Sequence, residues 1–409
     1  MIAVNPGGRA LAAGRLGGLL ALALPLTIAA LPPSVAASAP VAASSPRQSV
    51  DYAILGPNFA RTQSARKDGA PIIARARTFL HRPPAPRQIR IEGVSSGQAR
   101  APGVSAAAAA DPGDVAASWE SLRDMDVMLD LALAWRLTGD RAFLKQSERY
   151  LDAWSTSYQP TFNPIDEGLF DGLILAYDLT EADLPATTRT KVDTFLRRLA
   201  TGYVEAMETG DVPIKPTLTN NWQSHRIKLA ALAAFQIEDA GLIDRVHVLF
   251  DRHLEANLRT DGSTLDFAQR DALHYVTYSL DSQLMAALAA QAHGQNWYED
   301  RSASGKALPD TLAWLGAYAR GEKSHIEFLK SVVPYDRQRA AAGGEMFKNK
   351  TWDPVTAART YLLASKLDGR WKALSRELAN QAERSKSKIE PGERLDWPAM
   401  LADPHKAKN

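Results

Sequence analysis

Two short stretches of this 409-residue chain gather side chains that can hold an anion and move a proton. The first is Thr219-Asn220-Asn221-Trp222-Gln223-Ser224-His225-Arg226, which opens a helix running on through Ile227 to Ile237. Either Asn220 or Asn221 can cap that helix. Asn221 and His225 are spaced i,i+4, so in a helix that already includes Asn221 they share a face. An amide and an imidazole at the positive end of a helix suit a carboxylate. The second stretch runs from Asp261 to Tyr278. Asp261-Gly262 reads as a turn, and the helix behind it carries Arg270, His274, Tyr275 and Tyr278. Arg270 and His274 are i,i+4 and the two tyrosines i,i+3, which predicts neighbouring stripes. Tyrosines at this spacing also fit a core, but a cation beside a phenol favours phenolate and lowers its pKa.

Amide, imidazole, guanidinium and phenol form a distinctive inventory. Missing from it are a pair of close carboxylates, a Gly-rich phosphate loop and a Gly-x-Ser-x-Gly elbow. The chain has no cysteine, which removes thiol nucleophiles, cysteine zinc sites and iron–sulfur clusters. The eight histidines are scattered, and the six-residue spacing of His247 and His253 does not put two ligands on one helical face, so neither metal nor cofactor is expected. The reaction this set fits is β-elimination on a uronic acid polymer. There the C5 proton becomes acidic once hydrogen bonds neutralise the C6 carboxylate, a base removes it, and an acid protonates the departing O4. Two other classes compete: a hydrolase using Asp166, Glu167 or Asp266 as acid and base, and a non-catalytic binder of acidic polysaccharide.

The elements that must carry these residues are helical. Apolar residues recur at three and four from Leu122 to Leu137, and comparable blocks span Phe143–Trp154, Leu169–Leu179, Arg189–Met207, Ser224–Ile237, Leu242–Leu258, Arg270–Ala292, Thr311–Tyr318, Val355–Leu367 and Trp371–Arg384. Gly, Pro, Asp or Asn bound each block. Only Gln88–Val94 alternates like a strand. The expected class is all-α, with antiparallel helix pairs closing into a toroid, a solenoid or a bundle, alternatives that periodicity alone does not separate. Ser95–Gly113, rich in Ala, Gly and Pro, reads as an insertion or a lid.

Before the helices, residues 1–39 hold Arg9, Arg15 and no acid, with an uncharged run from Leu16 to Ala30 that is shorter than the ~20 residues needed to span a bilayer. Small residues follow, so residues 1–39 are expected to be a secretory signal cut after Ala37 or Ala39, with a flexible linker at 40–51 and one helical domain over 52–409. Without the signal the chain carries 46 basic and 46 acidic residues, a balance that argues against nucleic acid as partner. An anionic substrate must therefore be met by a local cluster.

At the two polar stretches the chain resembles the alginate lyase superfamily of polysaccharide lyases, whose fold is an (α/α) toroid. Asn220-Asn221 with His225 behind it is similar to the family's Asn-Asn-His element, except that Trp222, Gln223 and Ser224 intervene here. The run Ala272-Leu273-His274-Tyr275-Val276-Thr277-Tyr278-Ser279-Leu280 resembles the family's Arg-Ala-Leu-x-Tyr-x-x-Tyr-x-Leu helix. Tyr278 falls on the catalytic tyrosine; Asp271 stands at the arginine position and Arg270 one place earlier, a shift of about 100° on a helix. Pro160–Ile165 with Ala176–Leu179, and Thr351-Trp352-Asp353-Pro354, resemble further family segments. The resemblance implies that Asn221 and Arg270 neutralise the carboxylate, that His225 neutralises it or acts as base, and that Tyr278 is the acid and, on mannuronate, also the base. Tyr275 is the reserve for Tyr278. Asn220, Trp222, Asn163 and His274 would contact substrate. The implied protein is a secreted or periplasmic monomeric lyase of alginate, with glucuronan the alternative polymer, free of the membrane once the signal is cut.

Overall fold

The structure, a computed structural model, describes residues 52–55, 69–91, 112–212, 214–341, 343–385 and 394–401. The chain divides into two units, Met1–Arg47 and Gln48–Asn409. The first unit, and with it the expected signal and linker up to residue 51, lies outside the described residues. So does the Ser95–Gly113 run, apart from Pro112 and Gly113, which open a helix.

Within Gln48–Asn409 the described residues form helices and turns with no strand. An inner row consists of α2 (Pro112–Thr138), α4 (Asp171–Thr180), α6 (Asn221–Gln236), α9 (Leu273–Ala292) and α12 (Ala358–Leu367). Outer helices alternate with them: α3 (Arg141–Ser157), α5 (Ala186–Thr209), α7 (Ala240–Asn257), α10 (Leu308–Ala319) and α13 (Lys372–Ser385). Short α1 (Ala70–Thr78), α8 (Leu265–Arg270), α11 (Pro334–Ala341) and α14 (Asp396–Met400) complete the set. Of the two cap candidates Asn220 takes the role on α6, and Asp140, Asp239 and Thr264 likewise accept an N–H in the first turn of α3, α7 and α8.

The inner helices all run the same way. Gly172 sits against Met125, and further along Arg136 donates to the carbonyl of Leu179. Lys228 donates to Asp171, and two turns on Gln236 donates to Glu181. The ring pairs His225–Tyr278 and Phe235–His293 advance together along α6 and α9. Thr360 meets Asp281, and beyond both helices Tyr298 meets Asp368. One end of the row therefore collects five helix N-termini.

Being enclosed on both sides, α4 is buried at all ten positions and α6 at all but Trp222. Such helices are not amphipathic, and their polar residues must pair internally. Ser224 Oγ meets His253 Nε2 at 2.7 Å and Ser279 Oγ at 2.7 Å, with Gln283 joining, so one hydrogen-bonded seam ties α6, α7 and α9. The row closes on itself through residues 394–401. Arg394 reaches Asp130 of α2 at 2.5 Å, while Arg359 of α12 donates to the carbonyl of Arg394 at 2.6 Å and lies over Trp397. The result is a helical toroid.

Two expectations change. Gln88–Ile91 is not a strand: Arg90 N donates to Ser118 Oγ and Ile91 N to Asp166 Oδ1, so side chains take the bonds a sheet would need. The predicted helix Arg270–Ala292 is broken. Asp271 adopts a left-handed conformation (φ 51°) that ends α8, and α9 starts only at Leu273. Arg270 and His274 are thus not i,i+4 neighbours on one helix.

Candidate active site

The two polar stretches meet at the N-terminal end of the inner row. Asn220 caps α6, its Oδ1 accepting from Trp222 N at 3.0 Å. Asn221 begins the helix and is 1% exposed. Its Nδ2 donates to Asp266 Oδ1 at 2.6 Å and its N–H to the same oxygen at 3.2 Å, while Asn257 Nδ2 donates to Asp266 Oδ2 at 2.9 Å. The helix N-terminus does hold a carboxylate, and it is one of the protein's own. Burial pushes the Asp266 carboxyl above its ordinary range, and the hydrogen bonds from Asn221 and Asn257 pull the other way.

One turn later His225 lies inside the wall. Its Nδ1 is 3.2 Å from Ser282 Oγ, and Nε2 is buried with no hydrogen-bond partner among the described residues. Burial first, then the positive charges of Lys228 and Arg226, hold the imidazole well below its usual pKa, so it is neutral. The backbone at Gly168 passes close by: a Cβ there would come within 2.8 Å of the Pro164 carbonyl and 3.7 Å of His225 Nδ1. Lys228 then reaches the Gly168 carbonyl at 2.7 Å.

Tyr278 covers His225, their ring centroids 4.1 Å apart and tilted by 45°. Unlike His225 it is only half-buried, and His274 lies nearly parallel to it at 6.0 Å. Burial, with Lys350 and Arg270 adding, lowers the His274 imidazole to about 4. Tyr275 is buried within a small apolar cluster with Ala272 and Phe328, against which Tyr278 packs from its half-buried position. Arg270 Cζ sits 3.7 Å over the Tyr275 ring. The expected lowering of this phenol does not occur, because burial outweighs the cation and drives its pKa up.

Arg270 itself is clamped. Its Nε contacts both oxygens of Asp336, at 3.1 and 3.2 Å, and its Nη2 donates to Asp336 Oδ1. Asp336 belongs to a strap, residues 325–351, whose ends are joined by the Ile326↔Thr351 bridge. The strap also supplies Glu327, which accepts from Leu273 N at 2.7 Å and His274 N at 3.0 Å, thus capping α9 from a distance. Neither Asp336 nor Glu327 could be found in a local pattern, since Asp336 lies 66 residues from Arg270 and Glu327 54 residues from Leu273.

The remaining expected contacts divide. Asn220 and Trp222 are half-buried at the start of α6. Asn163 is 2% exposed, accepting from Ile165 N and donating to Asp166, so it serves the loop before α4. The carboxylates considered for hydrolysis are equally committed: Glu167 accepts from Tyr158, Tyr203 and Thr161, and Asp166 from Ile91 N. Away from this end, His247, Asp251 and Asp300 bring one ligand atom each within 4.8 Å of one another, the one such metal-capable group among the described residues. His253 does not join them but turns inward to Ser224.

No curated protein matches the sequence. Among solved structures, an alginate lyase from Bacteroides ovatus superposes with a TM-score of 0.57 at 16% identity, covering 85% of this chain and 99% of that one. Alginate lyase A1-III from Sphingomonas species A1 matches with a TM-score of 0.45 at 16% identity, covering 73% and 94%. The sequence pattern of the alginate lyase family matches residues 45–325. The chain belongs to the alginate lyase family and is a polysaccharide lyase with a helical toroid fold.

Proposed function

We propose that the protein cleaves a uronic acid polymer of the alginate type by β-elimination, with polymannuronate the preferred substrate and Tyr278 as both base and acid. The observation that carries this reading is the close, tilted contact of half-buried Tyr278 with buried His225, ring centroids 4.1 Å apart. In a mannuronate chain the C5 proton and O4 lie on one side of the ring, so a single phenol can take the first and protonate the second. A guluronate chain places them on opposite sides and needs a second group at the surface. His225 Nε2 is shielded from solvent, so it supports Tyr278 from behind. Carboxylate neutralisation falls to Arg270 and Asn221. Both are held by acidic partners, yet Arg270 Nη1 makes no hydrogen bond among the described residues and the Asn221 amide keeps a second N–H. His274, Trp222 and Asn220 are the further sugar contacts in this reading, supported by their being half-buried at the same end.

The internal hydrogen bonding of Asp166, Glu167 and Asp266 speaks against the hydrolase reading, which needs two carboxylates open to substrate and water. We further propose that the chain works outside the cytoplasm on an acidic polysaccharide, led there by residues 1–39. The purified protein incubated with polymannuronate, polyguluronate and glucuronan should generate short-wavelength ultraviolet absorbance from the new C4–C5 double bond conjugated to the carboxylate, fastest on polymannuronate. New reducing ends without that absorbance would establish hydrolysis instead, and polymer binding without any product would establish a binder.

A further inference from the structure

Arg270 ends α8, immediately before the left-handed Asp271, so its backbone lies at the junction of two helices and not within one. Its side chain is nevertheless fixed on three sides. Asp336 takes Nε and Nη2, the Tyr275 ring covers the face of the guanidinium, and Ser331 Oγ donates to Asp336 Oδ2 at 2.7 Å, holding the carboxylate in turn. Asp336 is 1% exposed and the Arg270 side chain 11%. The strap that carries Asp336 also binds the junction itself. Phe328 N donates to the Asp271 carbonyl at 2.8 Å, Lys330 N to Asp271 Oδ2 at 2.7 Å, and Val332 N to the Gln269 carbonyl at 2.9 Å. A buried arginine needs a counter-charge, but a surface-directed backbone bond would suffice for the loop; here both are built into one segment.

We propose that Asp336 is a positioning residue of the elimination reaction. By occupying the Nε/Nη2 edge of the Arg270 guanidinium it leaves the Nη1/Nη2 edge for the substrate carboxylate, and by its charge it prevents Arg270 from binding that carboxylate too tightly before C5 is deprotonated. The inference rests on the lyase reading above. An arginine aimed through a fixed partner loses less conformational freedom when the substrate arrives, and a misplacement of about 1 Å in such a group can cost on the order of a hundredfold in rate.

The test is steady-state kinetics on polymannuronate for the intact protein, Asp336→Asn and Ser331→Ala, each checked by circular dichroism and thermal melting. In Asp336→Asn, kcat should fall about tenfold to a hundredfold while KM stays level or drops, since the guanidinium has lost its counter-charge and its aim. Ser331→Ala, which only loosens the carboxylate, should show a smaller loss with the same split. A folded Asp336→Asn protein with kcat within about twofold of the original, or a rate loss that merely tracks the folded fraction, would overturn the proposal. Should Asp336→Asn not fold, an unchanged kcat in Ser331→Ala overturns it. If the unaltered protein releases no unsaturated product from any uronan, the lyase reading itself fails, a result distinct from a defect confined to the variants.

Discussion

Tyr278 and Tyr275 are three residues apart and chemically identical, yet their surroundings assign them different work. Tyr275 is packed under Arg270 and against Phe328, and burial makes its phenol harder to ionise. Tyr278 lies between His225 and His274 and stays half-buried. General acid–base catalysis by a placed side chain contributes roughly 10²- to 10⁴-fold, so Tyr278→Phe should lower kcat by about 10²-fold or more with the melting temperature unchanged. Tyr275→Phe keeps the ring that supports Arg270 and should leave most of the activity. Rates measured on polymannuronate for the two variants decide between them: activity surviving in Tyr278→Phe but not in Tyr275→Phe would place the catalytic phenol one turn earlier.

The seam joining α6, α7 and α9 makes a prediction about acid. Burial, with Arg226 adding, lowers the His253 imidazole from 6.5 to about 3, and its Nε2 meets Ser224 Oγ in the folded state. The unfolded chain therefore binds a proton at this residue below about pH 6.5 that the folded chain refuses until near pH 3. The stability contribution is complete above pH 6.5 and falls as pH drops through that window, by up to about 1.4 kcal/mol per pH unit for one histidine. His225 acts in the same direction. Urea unfolding between pH 7.5 and 5 should show this slope, and His253→Gln should make it shallower by one proton; an equal slope in the variant would refute the assignment. The helices that form the seam could be read from sequence, because runs such as Leu229–Phe235 end at clear breakers and caps. What escaped was the kink before α9. Arg270–Ala292 is periodic throughout, and the groups that stabilise a left-handed Asp271, His325 Nε2, Phe328 N and Lys330 N, stand 54 to 59 residues further on. Likewise the carboxylate that the Asn221 amide meets is that of Asp266, 45 residues away, which belongs to tertiary packing that no local window contains.

A toroid differs from a solenoid in one respect: its first and last inner helices must be joined, and here α2 and α12 meet through residues 394–401. Arg394 is the centre of that clasp. Its guanidinium pairs with Asp130 at 2.5 Å and with Asp396 at 3.0 Å, and lies 3.8 Å from Asp126. Arg75 of α1 shares the same two acids, reaching Asp130 at 2.9 Å and Asp396 at 2.5 Å. On the other side Lys366 of α12 donates to the carbonyl of Leu401 at 2.8 Å. Removing one partner of a buried pair strands the other charge, at a cost of about 3–5 kcal/mol, whereas an exposed pair contributes little. Arg394→Ala should thus shift the urea midpoint strongly, since it leaves Asp130, only 4% exposed, with Arg75 alone. Arg301→Ala, which breaks an exposed pair with Asp310, should leave the midpoint where it is. Both variants keep every residue of the N-terminal end of the ring. If the two midpoints move equally, the closure is held by apolar packing around Trp397, and the ends of the ring stay together without the ion pairs of Arg394.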